Sequence, residues 1–249
     1  MAKNLSLEGV RPEAAERIGP FFEEALEKRG DAVHSLHIVG SAITEDFNPK
    51  RSDINSVIVL KERDLNFFEF LAPMGKKYGK KRLAPPVVLT LDFIRRSADV
   101  FPIEFLTYKL IHKAVWGEDI FSAIQINKKD LRSQCERELK SKLVGLGEGY
   151  ISSKGDKKTL VEGYIRYMVN YIPLFRGIIH LAGKEPPVAR LDVIKALPAA
   201  TGVNTDVFER VYRAKASIAR FSKEDLKGIF EDYYEATERL AGFIDEIAL

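Results

Sequence analysis

The chain has 249 residues, 45% of them hydrophobic and 30% charged, a composition ordinary for a globular protein of one large domain or two modest ones. A formal charge of +3 is too mild to imply nucleic-acid binding by itself, and no apolar run approaches the ~20 residues that span a bilayer. The amino-terminal stretch lacks the apolar core of a secretory signal, and the single cysteine, Cys135, excludes a disulfide framework or a thiolate metal cluster, so a cytoplasmic protein with no membrane attachment is expected.

Residues 11–29 carry Ile18, Phe21, Phe22 and Leu26 at helical spacing between glutamates, which predicts an amphipathic helix stopped at Gly30. A strand follows from Ser35 to Val39 and runs into Gly40-Ser41; a second spans 53–60. Residues 65–82 read as a helix ending near Pro73 and then a basic loop. Residues 85–91 are expected as a third strand, "DFIRRSADV" as a short helix begun by Asp92, and 102–109 as a fourth strand with two-residue alternation. From about Ile126 strand-like runs vanish. Helices are predicted near 128–152, 157–183, 190–200, 204–220 and 223–247, packed by stripes such as Leu139, Leu143, Leu146 and Tyr150. The expected architecture is an α+β (α/β) domain with a small mixed sheet over residues 1–125, followed by an all-α bundle over 126–249.

Asp53 and Asn55 stand two apart on a predicted strand, so they share a face about 6–7 Å apart, continued by Val57 and Val59. The preceding Gly40-Ser41 turn lets a phosphate approach the backbone, where N–H groups and a hydroxyl can bind it. This arrangement of "SLHIV", Gly40-Ser41, a polar loop and "DINSVIV" resembles the nucleotidyltransferase superfamily, the polymerase-β-like fold. In that family a hydrophobic strand ends in Gly-Ser or Gly-Gly, and a strand after the polar loop carries Asp-x-Asp or Asp-x-Glu. The "HKAVWGEDIF" block likewise resembles a segment of the small-molecule, aminoglycoside-modifying members, in which a helical bundle follows the catalytic domain.

The resemblance implies a protein that binds a nucleoside triphosphate and Mg²⁺ and transfers a nucleoside monophosphate to an acceptor whose identity the sequence does not give. Gly40 and Ser41 would cradle phosphate, Asp53, Asn55 and Glu104 would be the metal positions, and Asp53 and Glu104 the catalytic acids. Glu104, in "PIEFL", is the match for the family's third carboxylate on a neighbouring strand and would be the general base. Lys50, Arg51 and Ser52, just before Asp53, are placed to meet phosphate, with surface solvation the competing reading. The departure is Asn55, where the family has a carboxylate. A neutral amide holds a divalent ion less well, so the alternative is a catalytically weakened homologue that binds a nucleotide, nucleic acid or a partner protein.

Other features are read structurally. Lys76, Lys77, Lys80, Lys81 and Arg82 around Tyr78 are taken as a solvated loop, with triphosphate or RNA contact as the functional alternative. His34 and His37 fall on opposite strand faces and are not paired. Arg176 and His180 resemble, one residue short, the Arg-x(4–6)-His pattern of HEPN ribonucleases, and packing is preferred. Tyr164, Arg166, Tyr167 and Asn170 are likewise assigned to packing, with a cleft as the alternative. A homodimer through the bundle is a further possible assembly, and nucleic acid is not the favoured partner.

Overall fold

A computed structural model of the chain describes residues 5–214 and 222–249. Two compact units emerge, one of residues Met1–Ala98 with Phe105–Gln125, the other of Asp99–Glu104 with Ile126–Leu249.

The first unit is built on a four-stranded sheet. Strand β1 (Val33–Val39) lies between β2 (Asn55–Leu60) and β4 (His112–Gly117), antiparallel to both, and β3 (Val87–Thr90) runs parallel to β2 at the edge. Alternation sorts the side chains. Leu36, Ile38, Ile54, Ile58 and Leu60 turn to one face and form a core with Ile18, Phe21, Phe22 and Leu26 of helix α1 (Pro12–Arg29). Each such side chain stabilises the unit by about 1.5–3 kcal/mol on burial. Pro12 at the first helical position, Glu13 in the first turn and Lys28 and Arg29 in the last all suit the helix ends. Ser35, His37, Val39, Asn55 and Val57 occupy the opposite face of the sheet.

Helix α2 (Leu65–Tyr78) runs through Pro73, against the expected stop there. Pro73 and Glu69, whose carbonyl loses its N–H partner, are both exposed, so water can satisfy that carbonyl. The expected basic loop is therefore the last turn of α2 and a 3-10 turn over Gly79–Lys81. It is tied down: Tyr78 Oη donates to Pro20 O (3.1 Å) and Glu24 Oε2 (2.8 Å), and Lys77 Nζ donates to the same carboxylate (2.7 Å). Hydrogen bonds from Lys28, Lys77 and Tyr78 hold Glu24 well below the usual carboxylate range, at about 2.

Helix α3 (Leu91–Arg96) is capped by Thr90 Oγ1, which accepts from Phe93 N, rather than by Asp92. The larger correction is at 102–109. These residues form helix α4 (Pro102–Leu110), and the fourth strand is β4, further along the chain. Pro102 at the helix start favours that choice, and the first turn is anchored where Gln134 Oε1 accepts from Ile103 N (2.8 Å).

The second unit is helical: α5 (Lys128–Ser152), α6 (Lys157–Leu181), α7 (Arg190–Thr201), α8 (Asp206–Ala214) and α9 (Lys223–Glu246). Asn127 and Asp156 cap α5 and α6, and Ser222 with Asp225 forms a capping box on α9. The helix predicted over 204–220 is met by α8; residues 215–220 lie outside the described residues. Tyr171, Phe175, Phe208 and Tyr233 interlock with ring centroids 4.8 to 5.6 Å apart. Tyr171 Oη pairs with Thr237 Oγ1 at 3.1 Å, so the buried hydroxyl is satisfied. Among the described residues no helix is long and apolar enough to cross a membrane.

Candidate functional site

The register of β1 against β2 sets Val39 opposite Asn55, so Gly40 leaves the sheet beside that amide. Gly40 has φ +74, and a Cβ there would sit 3.7 Å from Asn55 Nδ2, an ordinary contact. The left-handed backbone, rather than lack of space, calls for glycine. Gly40–Ile43 is a 3-10 turn, and Gly40 N donates to Ile111 O (3.3 Å). Ser41 is buried at the turn, its carbonyl accepting from Thr44 N. Gly40, Ser41 and Asn55 thus meet at one end of the sheet.

The loop before Asp53 is shaped by Asn48. Its carbonyl accepts from Arg51 N and Ser52 N, its Oδ1 from Lys50 N, and its own N–H donates to Ser52 Oγ (2.9 Å). The Ser52 hydroxyl is therefore engaged within the loop, while Lys50 and Arg51 are exposed. Asp53 precedes β2 and is exposed, and its neighbour is a cation: Arg82 Nη1 stands 3.5 Å from Asp53 Oδ1 and donates to Arg51 O (3.3 Å). Arg82 takes a left-handed conformation (φ 59). It is held there by main-chain bonds, Ile54 N to Arg82 O (2.8 Å) and Ala84 N to Ile54 O (3.0 Å).

Glu104 is not on a strand. It lies in the first turn of α4 and belongs to the second unit, where Gln134 Nε2 donates to its Oε2 (2.9 Å). With Gln134 also accepting from Ile103 N, this pair fastens the start of α4. The strand that does neighbour β2 on its outer side is β3, where Val87 pairs with Val57 and stands 42% exposed on the Asn55 face. None of the four strands carries a carboxylate within its bounds.

A pair of Mg²⁺ ions needs several carboxylate oxygens around it. At this end of the sheet Asn55 offers a neutral carbonyl, Val87 no donor, and Arg82 a positive charge against Asp53. The donor set of these strands does not fit a paired-metal clamp. Positive charge gathers instead: Arg17, Lys80, Lys81 and Arg82, with Glu16 and Pro49, line an open cleft of about 430 Å³. Arg17 Nη1 donates to Pro49 O (2.9 Å), which fastens the cleft's far wall.

Further along the same face lies a cluster that sequence reasoning missed. His37 on β1 is fully buried, and its Nε2 lies 2.9 Å from Ser35 Oγ. Its Nδ1 has no hydrogen-bond partner among the described residues. An orphaned buried polar atom costs about 1–3 kcal/mol. His112 on β4 donates from Nε2 to Asp119 Oδ1 (2.7 Å). The two imidazoles lie 5.9 Å apart, and Phe121 sets its ring edgewise against each. Burial, then the neighbouring His112, pushes the His37 imidazole down to about 4. Burial alone would raise the Asp119 carboxyl, but hydrogen bonds from Ser122 and His112 outweigh it and hold it below the usual range. The partner of His37 is thus His112 across the sheet, which becomes visible once "HKAVWG" is read as a strand.

In the helical unit Arg176, Tyr164 and Tyr167 take packing roles, whereas Arg166 and Asn170 are exposed. Arg176 is buried and donates to Pro187 O and Val188 O, which pins the loop after α6. Tyr164 Oη donates to Leu226 O and Tyr167 Oη to Gly145 O.

An α+β domain with a mixed four-stranded sheet, a glycine turn after its central strand and a following helical unit is a nucleotidyltransferase-like fold. Among solved structures, the chain is similar to spectinomycin adenyltransferase from Enterococcus faecialis, solved with ATP and spectinomycin. The TM-score is 0.53 at 13% identity, over 92% of this chain and 98% of that one. At that identity the likeness is one of fold. No family model and no curated protein matches the sequence.

Proposed function

We propose that this chain is a nucleotide-binding homologue of the nucleotidyltransferases in which the metal clamp has been dismantled and triphosphate is met by basic side chains. The observation that carries this reading is the pairing of Asp53 with Arg82, 3.5 Å apart, at the position where a metal-dependent transferase concentrates negative charge. Arg82 stands where a divalent ion would be attracted, and its fork of donors suits phosphate oxygens. Gly40 leaves the backbone open beside Asn55, and Lys80, Lys81 and Arg17 extend the positive surface. The solved structure of similar fold holds ATP, which makes ATP the first nucleotide to test. In this reading Glu104 anchors α4 and takes no part in metal binding, and transfer of a nucleoside monophosphate to a small acceptor is lost.

Arg82→Asn is the direct test, because Asn tolerates the left-handed backbone that Arg82 occupies. The substitution removes one charge-assisted phosphate contact, worth about 1.5–3 kcal/mol, so ATP binding in chelator is expected to weaken by about tenfold or more. Unchanged affinity in the folded variant would remove the basic site from the account. Metal-dependent transfer by the natural chain would restore the second reading, an active transferase.

A further inference from the structure

We propose that His37, His112 and Asp119 form a site for one divalent transition-metal ion, with Zn²⁺ as its simplest occupant. One ring nitrogen from each histidine and one Asp119 carboxylate oxygen all lie within 4.8 Å of one another. Two imidazoles and a carboxylate suit zinc and its neighbours, whereas Mg²⁺ takes oxygen ligands. The site shares no residue with the nucleotide cleft and stands or falls apart from it.

Three observations point to a ligand rather than to a packed core. First, the Nδ1 of His37 is buried without a hydrogen-bond partner among the described residues, whereas His112 Nε2 and both Asp119 carboxylate oxygens are hydrogen-bonded. Second, the tautomer is set by Ser35. Its Oγ lies 2.9 Å from His37 Nε2 and 3.2 Å from His34 Nδ1. The other nitrogen of His34, Nε2, stands 3.3 Å from Glu118 Oε2 and donates to that carboxylate, so His34 Nδ1 accepts from Ser35 Oγ, which in turn accepts from His37 Nε2 and leaves His37 Nδ1 as a bare lone pair. A histidine whose other nitrogen donates to a neighbour is how proteins aim imidazoles at metals. Third, Asp119 is itself held, by Ser122 N (3.2 Å) and Ser122 Oγ (2.8 Å).

Bonds of about 2.0–2.2 Å to a tetrahedral ion need ligand atoms roughly 3.3 Å apart. A pair at the 4.8 Å bound must therefore close by roughly 1.5 Å as the ion enters, and the Asp119 side chain is 45% exposed. For His112 to ligate through Nε2, the proton it now donates to Asp119 moves to its Nδ1 by exchange with water as the ion enters. Phe121 covers the histidine side, and the Asp119 side opens to water, so a fourth position is free for water or a small ligand.

The test is titration of the metal-stripped full-length chain with Co²⁺, followed by visible d–d absorption, and then displacement by Zn²⁺. His37 is fully buried, so replacing it tests packing as much as coordination. The informative variants are Asp119→Asn and His112→Gln, each checked for unchanged circular dichroism. The expected result is saturation at one Co²⁺ per chain, displacement by Zn²⁺, and affinity at least about 100-fold weaker in both variants. Absence of a saturable one-to-one spectrum in the natural chain overturns the proposal. So does undiminished uptake in either folded variant.

Discussion

The double variant Asn55→Asp, Val87→Glu is expected to convert metal-independent ATP binding into Mg²⁺-dependent binding. Asp53 is the carboxylate nearest to β2 in the chain leading into it, and both substitutions add negative charge on the same sheet face. Val87 pairs with Val57, itself two residues from Asn55 on that face, and Val87 is exposed enough to carry a charge without a burial penalty. A unit charge about 4 Å from another contributes roughly 1 kcal/mol in water and about 4 at an effective dielectric of 20, and a divalent ion doubles this. Each new acid should therefore tighten ATP binding in Mg²⁺ relative to chelator by about tenfold or more. Calorimetry in the two buffers reads this directly. If the double variant gains no Mg²⁺ dependence, the strand ends are not the degraded remains of a metal site.

The second large effect is on stability. Gly117, the last residue of β4, has φ +77, and a Cβ there would lie 2.3 Å from His34 O and 2.8 Å from Ser35 Cα. Both obstacles are main chain, so no side-chain rotation relieves them. Gly117→Ala is expected to cost about 3 kcal/mol or more, through left-handed strain plus displacement of β4 from β1. Thermal melting should fall by roughly 6–12 °C. Gly228→Ala is the control: its Cβ meets nothing within 4 Å on helix α9, and alanine there should be neutral or stabilising by about 0.5–1 kcal/mol. Equal melting of the two variants would contradict the close approach of β4 to β1.

The first two strands and the α5 and α6 helices were legible because their periodicity is uninterrupted and their ends are marked by Gly40, Asn127 and Asp156. The glycine turn and Asn55 followed from the same alternation. Residues 102–109 misled because Ile103, Phe105 and Leu106 satisfy a two-residue and a helical period equally over so short a run. The deciding contacts, Gln134 with Ile103 and Glu104, come from some thirty residues away. β4 escaped for a related reason: "HKAVWG" is short and begins with two polar residues, and its place is fixed by pairing with β1 rather than by its own pattern. The site divides along the same line. Gly40, Ser41 and Asp53 announce themselves locally, but Arg82 reaches Asp53 only because Ile54 is stitched to the turn after α2. No local pattern encodes that bond. His37 was judged against His34, its neighbour in sequence, while its partner His112 lies across the sheet.

The central claim is that this nucleotidyltransferase-like sheet meets triphosphate with a guanidinium where a metal-dependent enzyme uses metal ions. The most direct measurement is calorimetric titration of ATP into the natural chain, once in chelator and once in excess Mg²⁺. The account predicts saturable binding in both, with affinities within about twofold. Affinity that rises about tenfold or more with Mg²⁺, or that exists only with it, would contradict the account and return Asp53 to the role of metal ligand.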